Sequence, residues 1–434
     1  MIEQLRAEID QLKRRGSAAP FSKGTSKPDP KLPGRKPGQG FFRFRGAPEG
    51  ATWAEPVAVP VGGGCPDCGG TLSEAAQEIV STTDIPLAPC AEVRRYSVEI
   101  RRCRQCGKSV RGRHPDIAAG QQGATAHRVG PRARAMAHVL HYAHGVPVRK
   151  VPAILEELTG VRLTQGAITQ DAMKQTARAV GTCYAALRES VGQQAVIHTD
   201  DTGWRVQGEP AFLMAFVNSS LSVYQVRSRH RNEEVRELVP ADFGGVMICD
   251  RGKSYDAEEL ESVSQQKCLA HLLRNAAEVT QKKTGRAQQF SRRLKDLLRQ
   301  GLALAAKKNE MDATQYRVRV KELDDAVSLH LRHRSLRDDD NQRLLDGVGL
   351  QHDQGHLLRF LQQEGIEPTN NRAERDLRPA VIARKVSHCS KNATGARAFE
   401  AFTSVIQTLR KIDPAGIMTE LVSLMGNPPA IASP

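Results

Sequence analysis

Apolar and polar positions are most ordered in the centre of the chain. "QQAVIHTDD" (193–201) is a β-branched apolar run ending in two aspartates, and "AFLMAFVNS" (211–219) and "LSVYQVRSR" (221–229) follow as strand candidates separated by turn residues. Residues 231–239 look helical. "GGVMICDRGKSYDA" (244–257) gives another buried strand that ends in Asp250, and "KCLAHLLRN" (267–275) begins as a possible fifth strand and runs into a helix. This order predicts an α/β unit with a mixed sheet. From 282 to 362 the period becomes helical, for instance at Phe290, Leu294, Leu297, Leu298 and Leu302. Upstream, Val148, Val151, Leu155 and Leu158 share one helix face, "TGVRLTQ" makes a Gly-containing turn, and "GAITQDAMKQTARAV" (166–180) reads as a second helix. Its Ile168, Ala172 and Ala179 face inward, while Thr169, Gln170, Lys174 and Arg178 are available outward. That layout matches a helix-turn-helix with base-reading side-chain types, although ordinary helical packing accounts for it too. Pro152 suits a helix start or a kink, not an interior.

The two ends differ from the centre. Ile2, Leu5, Ile9 and Leu12 form an a/d seam over two heptads, too short to be stable alone. Residues 16–62 are rich in Gly, Pro, Ser and Lys and read as a flexible linker. With 434 residues, about two to four domains are expected.

Charge narrows the partners. The formal net charge is +15 with both signs present, which predicts a polyanionic partner, most commonly nucleic acid. Residues 1–50 hold eleven Lys and Arg against five Asp and Glu, and residues 91–135 hold eleven against three. Both segments suit phosphate tracking; solvated charge on a linker explains the first equally well. The N-terminus has no apolar signal core, and the longest apolar run, "AFLMAFV" (211–217), is far below the roughly 20 residues that span a bilayer. A cytoplasmic location without membrane association is the expectation.

Nine cysteines, an odd number and mostly scattered, argue against a disulfide framework. "CPDC" (Cys65, Cys68) and "CRQC" (Cys103, Cys106) each precede glycine, which permits the tight turn that aims two thiolates at one ion. Together they suit one structural, tetrahedral Zn2+. The 34 residues between the pairs exceed the usual loop of a compact zinc ribbon, and two unrelated pairs of free cysteines are the alternative.

The candidate chemistry lies in carboxylates. Two apolar strands each deliver one at the carboxyl end, Asp200 and Asp250, the edge of an open α/β sheet where ligands bind. "NNRAERDLRP" (370–379) places Glu374 on a basic helix, with Asn371, Arg375 and Arg378 roughly on the same side. Three carboxylates from rigid elements suit two Mg2+ (or Mn2+) ions, a pair that can assist phosphodiester transfer when about 3.5–4 Å apart. Each residue also has a plainer role available. Asp250 before "RGKS" suits a turn, Asp200 or Asp201 suits a cap, and Glu374 three residues after Asn371 fits a capping box. The stretch 372–397 carries seven basic residues, including Arg372, Arg375, Arg378, Arg384 and Lys385, against two acidic ones, and suits DNA backbone. "CLAH" (Cys268, His271) has half a zinc-site spacing but no second pair nearby, so a packed Cys and an active-site-edge His are expected.

Three blocks carry a resemblance: "VIHTDDTGWRV", "DRGKSYDA" followed by "CLAHLLRN", and "LLRFLQQEGIEPTNNRAERDLRPAVIARK". In this order they resemble the signature blocks of the transposases of bacterial insertion-sequence family 66, and the likeness covers most of the chain. It implies a ribonuclease H-like core of the Asp–Asp–Glu type, preceded by a zinc-binding segment and a helical DNA-binding region. It also implies catalytic and metal-ligating roles for Asp200, Asp250 and Glu374. Where the family usually has Asp-Glu-Thr this chain reads Asp200, Asp201, Thr202, so Asp201 stands at a non-ligand position. Where the family often has Asp-Gly-Tyr, Arg251 follows Asp250 and adds a positive charge.

The expected organisation is a coiled-coil-like helix (1–16), a basic Gly/Pro-rich linker (17–62), a zinc-binding segment (63–112) and a helical DNA-binding region (125–188). The core follows in two parts, 190–281 and 363–434, separated by an all-helical insertion (282–362), and the second part holds the catalytic helix and C-terminal helices. The expected function is metal-dependent cleavage at transposon ends and strand transfer into target double-stranded DNA. A homo-oligomer on the ends and accessory proteins from the same element are the further partners considered. A DNA-binding regulator derived from such an enzyme and a ribonuclease H-like nuclease without strand transfer are the alternatives.

Overall fold

The structure is a computed structural model that describes residues 91–426 apart from 115–116, 118–119, 123–126 and 333. The N-terminal helix, the linker and Cys65 and Cys68 lie outside the described residues. A small antiparallel hairpin comes first, β1 (Ile100–Arg102) and β2 (Ser109–Arg111). Four helices follow: α1 (Pro131–His138, prolonged by a wider turn over Val139–Ala143), α2 (Val151–Thr159), α3 (Gln165–Thr176) and α4 (Ala179–Val191). Pro152 sits in the first turn of α2, where its missing N–H costs nothing, and Gly160 ends that helix at φ +70°. The Thr164 hydroxyl caps α3 by accepting from the Ala167 N–H at 3.1 Å.

The sequence pattern predicts one helix over 166–180, but the structure has a break there. α3 stops at Thr176 and Arg178 adopts non-helical angles before α4 begins. Gly181 explains the sharpness of the turn: a Cβ there would fall 1.8 Å from the Thr176 carbonyl oxygen. Arg178 therefore lies beyond the helix that the sequence pattern predicts for it.

The sheet is built from β3 (Val196–Val206), β4 (Glu209–Val217), β5 (Ser222–Arg227), β6 (Val246–Cys249) and β7 (Ser264–Lys267), with the short helix α5 (Asn232–Arg236) between β5 and β6. Spatial order is β5-β4-β3-β6-β7. The first three strands pair antiparallel, whereas β6 and β7 add in parallel on the other side of β3. The mixed sheet is thus present. The fifth strand, however, is the polar "SQQK" before "CLAH", not "KCLA" itself. Gln266 survives burial because its amide donates to the Leu357 carbonyl at 3.0 Å and accepts from the Phe360 N–H at 3.0 Å.

Helix α6 (Leu269–Lys282) leaves the sheet, and α7 (Gln289–Ala306), α8 (Ala313–Leu331), α9 (Asp339–Asp353) and the single turn α10 (Arg359–Gln362) form the helical insertion. Leu294, Leu297 and Leu298 of α7 are wholly buried against Val327, Leu345 and Val348, and this core continues onto the sheet through Val246 and Ile248. The chain then returns in α11 (Asn371–Ser387), α12 (Ala393–Ile412) and α13 (Ile417–Met425). Strand alternation sorts the two sheet faces. Leu213, Ala215 and Trp204 pack under Ala373, Leu377 and Ala380 of α11, whereas Ile197, Met214 and Met247 face the opposite core. Among the described residues, no helix is long and apolar enough to cross a membrane.

Candidate active site

Period-two alternation on β3 separates the two adjacent aspartates. Asp200 shares a face with Trp204 and so lies on the side covered by α11, while Asp201 shares the other face with Ile197. Both sit within a paired strand, opposite Ala215 and Met214, so neither caps a turn. Asp201 is committed to His230, whose Nδ1 lies 3.0 Å from its Oδ1, and the His230 Nε2 lies 3.1 Å from Ser254 Oγ. Burial works to lower His230, but its contact with Asp201 holds it above its ordinary value.

Parallel pairing brings the second aspartate alongside. The register aligns His198 with Ile248; Asp200 and Asp250 each follow two residues after that last pair, and the charge of Asp250 reaches Asp200. Asp250 does form the turn that its sequence suggests, since its Oδ1 accepts from the Gly252 N–H at 2.8 Å. A Cβ on Gly252 would lie 3.0 Å from that oxygen, which makes the absent side chain part of the turn. The loop beyond is fastened by an ion pair between Asp256 and the fully buried Lys267 at 2.7 Å. Arg251 points elsewhere: its guanidinium packs onto Gly347 of α9, where a Cβ would be only 1.9 Å from Nη2. Burial there lowers Arg251 below its ordinary value, with Asp256 and Asp250 opposing.

Glu374 is the third member, on the first turn of α11. The capping-box alternative is not the arrangement found. Asn370 is the N-cap residue and makes no side-chain cap hydrogen bond. Instead its amide Nδ2 donates to the Thr199 carbonyl at 2.7 Å, and its backbone N–H donates to Cys268 Sγ at 3.1 Å. Its own carbonyl accepts from the Glu374 N–H at 3.2 Å. One wholly buried asparagine therefore ties the strand of Asp200, the start of α6 and the turn of Glu374 together. The Glu374 carboxylate leans toward His271, Oε1 to Nε2 3.7 Å. The Cys268 thiol and the Glu374 charge raise His271 above its ordinary value against the effect of burial.

Asp200 feels the other two carboxylates. Burial, chiefly, then the charges of Asp250, Asp201 and Glu374 push Asp200 up to about 7, with the Asp201 backbone amide opposing. Yet among the described residues no three His, Cys, Asp or Glu side chains are gathered at ligand spacing. Like charges repel, and Glu374 turns instead to His271. Hard oxygen donors, one of them raised by burial and by the charges around it, are a donor set that a divalent cation fits, because the cation offsets both the burial of the charge and the repulsion.

The basic residues divide into two groups. Arg375, Arg378 and Lys385 are exposed. Arg372 is engaged by Glu367, and Arg384 donates to the Thr202 hydroxyl at 3.2 Å and to the Gly203 carbonyl. On α3, Gln170 and Lys174 are exposed, while the Thr169 hydroxyl bonds back to Gln165 and Gly166 of its own helix. Cys103 and Cys106 lie in the turn between β1 and β2. There the Cys103 N–H donates to the Lys108 carbonyl at 2.8 Å, and Gly107 at φ +71° donates to the Cys103 carbonyl at 3.0 Å. Hydrogen bonds from the backbone of Cys106 and Gln105 lower the Cys103 thiol. Of the predicted cysteine quartet, Cys103 and Cys106 share this turn; the other two cysteines fall outside the described residues.

Sequence reasoning missed Asn370 and His230. Asn370 stands in "TNNRAERDLRP" as one polar residue among several, and its partner Thr199 lies 171 positions away. In comparison with known proteins, residues 127–398 match a family described as Transposase IS66 family. That span takes in more than half of the chain and all three carboxylates. No curated protein matches the chain.

Proposed function

The chain belongs to the IS66 family of transposases, and on that premise we propose that it cleaves DNA at transposon ends and joins the freed end to target DNA. The observation that carries this reading is the arrangement of Asp200, Asp250 and Glu374, close enough that the charges of the other two help push Asp200 up to about 7. Asp200, the oxygen of Asp250 not bonded to Gly252, and Glu374 would hold two Mg2+ or Mn2+ ions. Such ions, when bound, supply activation of the attacking oxygen and stabilisation of the leaving one.

The protein's own contribution is positioning. Asn370 keeps the Glu374 turn against β3, and the Asp256–Lys267 pair fastens the loop that follows Asp250. In the first step a water oxygen bonds to phosphorus at the transposon end, and the 3′ oxygen leaves and takes up a proton. In the second, that 3′-hydroxyl bonds to a target phosphorus and displaces another 3′ oxygen. Exposed Arg375, Arg378 and Lys385 are assigned to the DNA backbone, as are Gln170, Lys174 and Arg178 to a more distant part of the duplex. Thr169, Arg372 and Arg384, already bonded within the protein, contribute by shaping these surfaces. Cys103 and Cys106 with Cys65 and Cys68 would hold one structural Zn2+.

Glu374→Gln tests the reading. Its loss should leave duplex binding within about twofold and reduce Mg2+-dependent nicking and joining by at least about 1000-fold. Nicking by the variant at the wild-type rate refutes the assignment of Glu374. A wild-type chain that nicks but yields no joined product is a nuclease without strand transfer, and one that binds without nicking is a regulator.

A further inference from the structure

Helix α11 buries Ala373, Leu377, Ala380 and Ala383. With 100° per residue, the opposite side carries Glu374, Arg375, Arg378, Ile382, Lys385 and Val386 in one arc. Ile382 and Val386 are unusual there, 53% and 58% exposed. Ile382 falls in the middle of the arc, between the directions of Arg375 and Arg378, and about 12 Å along the axis from Glu374. Pro379 lies within the helix just before it; its ring leaves the Arg375 carbonyl without its helical donor and favours a bend that turns this side outward. The site thus continues into a ridge of two branched apolar side chains flanked by cations.

We infer that this ridge is a wedge that enters duplex DNA next to the scissile phosphate and unstacks a base step. The inference rests on the DNA-cleaving reading above. Charge chooses the occupant. Residues 1–50 carry eleven basic against five acidic residues, and a second copy meeting this helix through its own equivalent arc would present the same cations, so neither complements Arg375, Arg378 and Lys385. A polyanion is attracted by them. Apolar wedges set among basic residues are the means by which proteins separate stacked bases, with phosphate contacts offsetting the cost of unstacking. A separated step would let a single strand bend toward the Asp200 rim.

The test uses the full chain with Ca2+ in place of Mg2+ and a duplex bearing the terminal repeat of its element. A 2-aminopurine is set at successive steps beside the cleavage position. Wild type should raise the fluorescence at one or two adjacent steps by about threefold or more, as unstacking does. Ile382→Ser/Val386→Ser should abolish that rise while binding the duplex within about threefold of wild type. With Mg2+ the double variant should cleave the matched duplex about tenfold more slowly, and regain the wild-type rate when that step is mismatched in advance. Ile382→Leu/Val386→Ile should keep the signal, which separates loss of the wedge from loss of the helix. An undiminished rise with the serine variant overturns the proposal. So does a DNA-free wild-type dimer that the serine variant dissolves, because the ridge is then a contact between copies. Failure of wild type to cleave the matched duplex with Mg2+ overturns the transposase chemistry instead, whatever the fluorescence shows.

Discussion

The helical insertion and the rim of the sheet are built on opposite terms. In the insertion, Leu294, Leu297, Leu298, Val327 and Val348 are withdrawn from water completely, and ionic groups stay outside, as where Lys283 meets Asp338 and Asp340 at 2.7 Å each. At the rim, the charges of Asp250 and Glu374 reach Asp200, and burial together with them raises Asp200 to about 7. The first region supplies stability and the second consumes it. Chemistry accounts for the difference, since a site that attracts cations must hold like charges together while it is empty of them, and only a rigid surround can do so. Arg251, bridging from the Asp250 loop onto Gly347, is a point where the stable region braces the unstable one.

The contrast is most exposed to failure at Leu297, which has no contact with solvent. Leu297→Ala should cost about 3–4 kcal/mol through lost transfer energy and the cavity left behind. Urea unfolding followed by circular dichroism measures it. A loss below about 1 kcal/mol would mean that the insertion is not the stabilising partner, and the two regions would need to exchange roles.

Much of this contrast is legible in the order of residues, for identifiable reasons. Phe290, Leu294, Leu297 and Leu298 repeat at helical spacing, and a dry four-helix core requires little else. The positions of Asp200 and Asp250 beside apolar strands are legible too, whereas the resemblance rather than the pattern separates Asp200 from Asp201. What the pattern does not carry is polar burial. The strand Ser264–Lys267 looks like a loop, yet Gln265, Gln266 and Lys267 are buried with hydrogen bonds supplied by Tyr255 and the 356–360 return. Likewise the break before α4 depends on the approach of Gly181 to Thr176, a contact that helical periodicity passes over. Arg372 and Arg384 show the same limit in another way: composition carries no sign of their partners within the fold, Glu367 and Thr202.

Asn370 sharpens the comparison at intermediate size, because it is a stabilising element inside the costly region. Asn370→Ala leaves the buried Thr199 carbonyl without the Nδ2 donor at 2.7 Å, at about 1–3 kcal/mol. If it acts through Glu374 as a positioning residue, single-turnover nicking should fall by about tenfold and the Mg2+ concentration for half-maximal rate should rise. A stability loss with nicking and Mg2+ dependence unchanged would make it a packing residue only. Asn370→Asp is the stricter comparison: it keeps the shape but turns an acceptor toward the Thr199 carbonyl, and should be the worse of the two.

The smallest effect carries the opposite sign. Burial and neighbouring charge raise Asp200 from an ordinary 3.8 to about 7, so the folded protein favours its neutral form. For a group raised in the folded state, the contribution to stability is full below the ordinary value and is lost as pH rises through the folded value. Without divalent metal, wild type should therefore lose stability relative to Asp200→Asn between about pH 4 and pH 7. By about pH 8 the variant should be the more stable by on the order of 1–2 kcal/mol, a figure discounted because the rim is only partly shielded from water. Melting temperatures in EDTA across this range measure the difference curve, in which other titrating groups cancel. Addition of Mg2+ at pH 8 should then raise the melting temperature of wild type and not that of the variant. A variant that is less stable than wild type in EDTA at pH 8 would mean that Asp200 is paired rather than repelled, and the rim would then be a structural ion cluster like those on the insertion.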